Sequence, residues 1–190
     1  MIEIEAYAGI RTNNLELLGK GTQGTVYKIN SEKCIKIFKS SRACIDEFNT
    51  LMMAQGNPHF PAIYSSGDNY IIRQYIQGLE LNKYLTANFL SEELCYKIIE
   101  LYEAMRTIGF TRLDTAIFHI FVTPSGDLKL IDTAKAMKKK TVYPKLILNG
   151  LAQAGYMENF LNSVKKFRPE LFNLWLISSS KNKRSKVTIC

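Results

Sequence analysis

Three glycines constrain this chain more than any other feature. Gly19, Gly21 and Gly24 stand at G-x-G-x-x-G spacing between two stretches of alternating apolar character, Leu15 to Lys20 and Thr25 to Ile29. Such alternation reads as strand. The glycine spacing alone is weak, because it also occurs where a dinucleotide-binding fold opens a helix at its last glycine. Here the residues after Gly24 are Thr25-Val26-Tyr27, β-branched and aromatic, which favours a second strand over a helix. The segment therefore reads as strand, glycine turn, strand, with a backbone that can be approached closely because no Cβ stands in the way. An ordinary glycine-rich turn is the plainer alternative.

The pattern continues in kind. Cys34 to Phe38 is a short apolar strand carrying Lys36, and Arg42 to Gln55 places Ile45, Phe48, Leu51 and Met52 at helical intervals before Gly56. Asn57 to Pro61 is a connector, and Ile63 to Ser65 pairs with Tyr70 to Tyr75 around Gly67-Asp68-Asn69. This predicts a small antiparallel sheet with one helix. After Gln77-Gly78 the character changes. A short helix is expected over Leu79 to Leu85, then a longer one from an Ser91 N-cap to about Thr107, ahead of Gly109. Ile120 to Val122 and Leu128 to Ile131 form a hairpin over Pro124 to Asp127, and Pro144 to Ile177 is helical in pattern. The fold class is α+β, as one domain with a sheet-rich lobe (1–77), a helical lobe (78–180) and a basic tail (181–190) joined near Gln74 to Gly78.

Composition bounds the alternatives. With 190 residues, 46% of them apolar, the chain can bury one substantial core or two small lobes, not two large domains. No stretch reaches the eighteen or so apolar residues that span a bilayer, and Met1-Ile2-Glu3-Ile4-Glu5 lacks the basic start of a secretory signal. Cys34, Cys44, Cys95 and Cys190 show no CxxC spacing, so free thiols in a reducing cytoplasm are expected. With Cys190 as the last residue given, no prenylation box is expected. The formal charge of +8 concentrates in Lys138-Lys139-Lys140 and in the tail Lys181 to Lys186. A solvated surface explains both; without interleaved aromatics nucleic acid is a weak expectation that the tail leaves open.

The glycine turn, Lys36 in a strand, and, much later, Arg112-Leu113-Asp114, His119 and Leu128-Lys129-Leu130-Ile131-Asp132 occur in an order and spacing that resembles the protein-kinase-like superfamily from about Leu15 to Asp132. The short C-terminal part resembles small atypical kinases such as the RIO family. Tyr143 to Leu151 looks closer still to the compact serine/threonine-kinase-like proteins of bacilli, the YrzF type. The resemblance implies a bilobal fold, ATP with Mg²⁺ as cofactors, and transfer to a protein serine or threonine. It implies that Gly19, Gly21 and Gly24 cover phosphates and that Val26 packs on the adenine, with Gln74 and Tyr75 at the hinge. Lys36 holds the α- and β-phosphates and pairs with Glu47 (Asp46 is the neighbouring alternative). Asp114 orients the attacking hydroxyl, and Asp132 binds the metal. A surface Lys36 opposite a helix-face Glu47 is the plain alternative for that pair.

The departures matter as much. Leu113 replaces the family's Arg, so no phosphorylated activation segment is expected to dock there. His119 stands where a metal-binding Asn is usual, and imidazole suits Mn²⁺ better than Mg²⁺; it could instead bond Asp114 or a phosphate. Thr133-Ala134 follows Asp132 in place of Phe-Gly. Arg73 falls at or near the gatekeeper and either faces solvent or points inward, where it would compete for Glu47. Three readings follow: a cytoplasmic protein serine/threonine kinase, a pseudokinase scaffold, and a small-molecule phosphotransferase.

Overall fold

A computed structural model describes residues 6–184, with side chains over residues 7–178. The N-terminal acidic residues, the side chains of the basic tail and Cys190 lie outside that range. The elements run β1 (Ala6–Tyr7), β2 (Ile10–Arg11), a 3-10 turn (Thr12–Asn14), β3 (Glu16–Lys20), β4 (Gly24–Lys28), β5 (Lys33–Phe38), α1 (Ser41–Met53), β6 (Ile63–Gly67), β7 (Tyr70–Gln74), β8 (Leu79–Glu80), α2 (Leu81–Tyr84), α3 (Glu92–Ile108), a 3-10 turn (Ile117–His119), β9 (Ile120–Val122), β10 (Leu128–Leu130), α4 (Lys145–Gln153), α5 (Met157–Phe167) and α6 (Pro169–Arg184). The chain is α+β: among the described residues six α-helices accompany an antiparallel sheet of five strands, in the order β3-β4-β5-β7-β6. No helix among the described residues is long and apolar enough to cross a membrane.

The chain divides into two compact units. Of the described residues, one unit comprises those up to Gln77 together with Ile131–Lys135; the other comprises Gly78–Leu130 and those from Ala136 onward.

In the first unit, the β4–β5 and β5–β7 registers set Val26 opposite Lys36 and Lys36 opposite Ile71, with Cys34 opposite Arg73. Directly paired residues share a sheet face, as do residues two apart. Val26, Lys36, Ile71, Cys34, Arg73 and Phe38 therefore line one face. Helix α1 packs on this face through a cluster of Phe38, Cys44 and Ile71, which Ala43, Phe48 and Ile63 extend. The Ser40 hydroxyl caps α1 by accepting from the Ala43 N–H.

The second unit is built on α3, which buries Leu94, Ile98, Ile99, Leu101, Tyr102 and Met105. Its ends are those expected of the sequence: Ser91 accepts from the Leu94 N–H, and Gly109 closes the helix at φ 91°. The predicted hairpin forms as β9–β10, with β8 added at its edge. A short helix was the expectation from Leu79; instead Leu79–Glu80 pairs with Val122 and Phe121, and the helix begins at Leu81. The close approach is possible because Gly78 has no Cβ, which would sit 2.4 Å from the Val122 carbonyl oxygen. The C-terminal helical pattern resolves into three helices, with Trp175 of α6 against Tyr102 of α3 at 5.1 Å between ring centroids.

Candidate functional site

Lys36 and Glu47 form a salt bridge in the first unit, with the Lys36 Nζ donating to Glu47 Oε2. Lys36 is 7% exposed and Glu47 0%. Helix α1 directs Glu47 inward, while Asp46, one residue earlier, pairs with Arg42 at 3.3 Å. Of the two carboxylates considered from the sequence, Glu47 is the one that meets Lys36. Burial pushes the Glu47 carboxyl above its ordinary value, and the Lys36 and Arg73 charges oppose the shift without cancelling it.

Arg73 points inward and is 4% exposed. Its Nη1 lies 3.7 Å from Glu47 Oε1 and donates to the Ile131 carbonyl. The expected competition does not arise, because the two cations take different oxygens of one carboxylate. Ile131 immediately precedes Asp132, so the arginine also touches the segment that carries that residue. Asp132 Oδ1 accepts from the Ala134 N–H at 3.2 Å, and its charge is close enough to raise the Glu47 pKa further. The hydroxyls of Thr50, on α1, and Thr133 are 2.9 Å apart. Neither contact of residues 131–133 was legible from spacing; the one hint was a threonine directly after Asp132.

The glycines divide. A Cβ on Gly24 would stand 2.0 Å from the Ile37 carbonyl oxygen, so the sheet itself requires this glycine. Gly19 has nothing within 4 Å of its notional Cβ, and for Gly21 the nearest atom is the Gly24 carbonyl oxygen at 4.0 Å. Neither has a positive φ. Nothing within the described chain demands glycine at 19 or 21, and both are exposed. The Gly21 carbonyl does accept from Lys39 Nζ at 3.2 Å. Val26 is half-buried on the Lys36 face. At the end of β7, the Gln74 N–H is spent on the Ala62 carbonyl at 2.8 Å and the Tyr75 N–H on the Glu32 carbonyl at 2.7 Å. These two residues therefore have no free backbone N–H for a ligand.

In the second unit, Asp114 follows Leu113, whose N–H donates to the Thr141 carbonyl at 2.7 Å. Asp114 Oδ1 accepts from the Leu146 N–H at 2.7 Å, at the first turn of α4, where no side chain of the helix's own cap residue does so. Burial raises the Asp114 pKa, against the helix amides of Leu146 and Ile147 and the charges of Arg112 and Lys145. His119 ends the 3-10 turn, half-buried, with its ring edge-on to Phe118 at 4.5 Å. No group of three or more His, Cys, Asp or Glu side chains that could hold a metal occurs among the described residues. Cys34, Cys44 and Cys95 are free and buried. Lys138, Lys139 and Lys140 are exposed.

No protein-family model matches this chain. It is similar to the "Putative serine/threonine-protein kinase YrzF" of Bacillus subtilis (strain 168), with 23% identity over 137 residues, covering 69% of this chain and 64% of that protein. The chain thus spans just under two thirds of that relative's length. The similarity is distant and suggests a kinase-like protein.

Proposed function

We propose that this chain is a small atypical protein kinase of bilobal layout, residues 1–77 and 78–180 forming its lobes, which transfers the γ-phosphoryl group of ATP to a serine or threonine hydroxyl. The observation that carries the proposal is the buried Lys36–Glu47 pair on the sheet face shared with Val26. Burying an ion pair contributes little to stability on balance, since desolvation offsets attraction. A lysine held in this way serves better as a fixed cation for phosphate oxygens. Gly19 and Gly21, glycines without an internal reason, fit the same ligand by leaving backbone open to an anion.

Each residue has a role in this reading. Lys36 binds the α- and β-phosphates and Glu47 holds its ammonium in place. Val26 packs on the adenine, and the hinge at Gln74 and Tyr75 contributes carbonyls, its backbone N–H groups being spent. Asp114 orients the acceptor hydroxyl and takes its proton, a role that the raised pKa suits. Asp132 offers one carboxylate to Mg²⁺, which ordinarily takes one or two protein carboxylates and fills its shell with phosphate oxygens and water. His119 is the second candidate ligand, and its imidazole would favour Mn²⁺. A bound divalent ion supplies charge neutralisation of the phosphates. The buried free thiols fit a reducing cytoplasm.

One observation favours a second reading, a pseudokinase scaffold. Asp114 caps α4, so it has a structural reason to be present without chemistry. Turnover and nucleotide binding separate the two. ATP turnover and autophosphorylation with Mg²⁺ and with Mn²⁺ are expected in the wild-type chain and lost in Lys36→Ala and Asp132→Asn. Equal signal in all three chains overturns the kinase reading, and nucleotide binding without turnover establishes the scaffold.

A further inference from the structure

Asp132 stands between two anchored neighbours. Ile131 is held through its carbonyl by Arg73, and Thr133 through its hydroxyl by Thr50. Thr50 lies three residues after Glu47, on the same face of α1. Arg73 in turn reaches Glu47, which holds Lys36. The contacts thus run unbroken from Lys36 through Glu47 and Arg73 to Ile131, and from the same helix face through Thr50 to Thr133. Glu47, Thr50, Arg73 and Thr133 are all buried. The network is polar throughout, where an apolar plug would fill the same space without directional bonds. Thr50 also sits 3.0 Å from the Asp46 and Glu47 carbonyl oxygens. The Thr50 hydroxyl donates to the Thr133 hydroxyl oxygen at 2.9 Å, which joins the two side chains directly.

We infer that Arg73, Thr50 and Thr133 are positioning residues that latch the Asp132 segment to helix α1, so that the phosphate-binding cation Lys36 and the metal-binding carboxylate Asp132 are placed as one unit. This rests on the reading of Lys36 and Asp132 given above. Geometry supports it in two ways. The anchors flank Asp132 on both sides, which fixes its backbone rather than merely its neighbourhood. They also converge on one helix face, so a movement of α1 would release both together. Binding of metal and of nucleotide is therefore coupled through the latch, and no activation-segment contact is needed to bring Asp132 into place.

The test uses the full chain and begins without nucleotide, by amide hydrogen exchange. Thr133→Val keeps the shape and removes the hydroxyl, Thr133→Ser restores the hydroxyl, and Arg73→Met removes the other anchor. Exchange in residues 131–135 and in the second half of α1 is expected to quicken about fivefold to tenfold in Thr133→Val and Arg73→Met, and to return toward wild type in Thr133→Ser. Protection across β4, β5 and β7 stays unchanged in Thr133→Val. No selective change in that segment, or no rescue by serine, overturns the latch. A second arm measures ATP affinity with and without Mn²⁺. In Thr133→Val the metal-dependent gain is expected to fall at least about fivefold, with metal-free affinity within about twofold of wild type. An equal fall in both affinities overturns the coupling. If the wild-type chain binds no ATP, the proposed function fails, and the exchange arm alone decides on the latch.

Discussion

Glu47 is fully buried with a cation at each carboxylate oxygen, and removing it takes away the carboxylate with which both Lys36 and Arg73 pair. Breaking a buried pair in this way costs about 3–5 kcal/mol, so Glu47→Ala is expected to lower the urea midpoint sharply with little change in the slope. Asp114 separates two roles at one residue. Asn can still accept the Leu146 N–H, whereas Ala cannot. Asp114→Asn is therefore expected to keep wild-type stability and lose turnover. Asp114→Ala should lose turnover and about 1 kcal/mol of helix capping as well. Retained turnover in Asp114→Asn would remove it from the chemistry. Because burial raises the Asp114 pKa, the folded state holds this proton more tightly than the unfolded one. Its contribution to stability is thus fully present below the ordinary carboxylate value and is lost as pH rises through the folded value. Turnover has the opposite sense, since only the ionised form accepts a proton. The acid limb of the pH–rate profile is expected above the usual aspartate range, and a limb at the usual value would show that Asp114 is not the acceptor.

At the scale of elements, the two strands around the glycine turn and the helix that follows could be read directly. Their alternating or helical spacing is local, and the structure places them within a residue or two at Glu16–Lys20, Gly24–Lys28 and Ser41–Met53. Strands β1, β2 and β8, two residues each, have no period to read. The pairing of Asp114 with the α4 terminus and of Thr50 with Thr133 spans 32 and 83 residues, which no local pattern encodes. Arg73 was legible as an oddity near Glu47, but its bridge to Ile131 was not, because that partner is a backbone carbonyl. The glycines show how one motif holds two causes. Gly24→Ala must displace β5 or its own strand and is expected to cost about 1–3 kcal/mol. Gly21→Ala meets open space and should leave stability within about 0.5 kcal/mol, while weakening ATP binding if the phosphates lie over it. Thermal melts and ATP titrations of the two variants distinguish these outcomes. A Gly21→Ala chain with unimpaired ATP binding would place the phosphates elsewhere.

Across the whole molecule, the chain leaves the first unit at Gln77 and returns to it for Ile131–Lys135 alone. That brief return supplies Ile131 and Thr133, the partners of Arg73 and Thr50. A fragment ending at Gln77 would keep every strand of the five-stranded sheet and still leave the Arg73 guanidinium and the Thr50 hydroxyl without these partners. Two lost hydrogen bonds, one of them from a charged donor, amount to about 2–4 kcal/mol. A unit of this length has little stability to spare, since small domains bury a smaller share of their surface. The fragment ending at Gln77 is therefore expected to unfold at low temperature or without cooperativity, measured by circular dichroism. A chain in which a Gly/Ser linker replaces residues 78–130 and which ends at Lys135 should regain a cooperative transition. Replacing Thr133 by Val within that linked chain should forfeit part of the gain. Equal melting of the fragment and the linked chain would mean that α1 and the sheet hold Arg73 and Glu47 without help. The Asp132 segment would then be a passenger on the first unit rather than part of its fold.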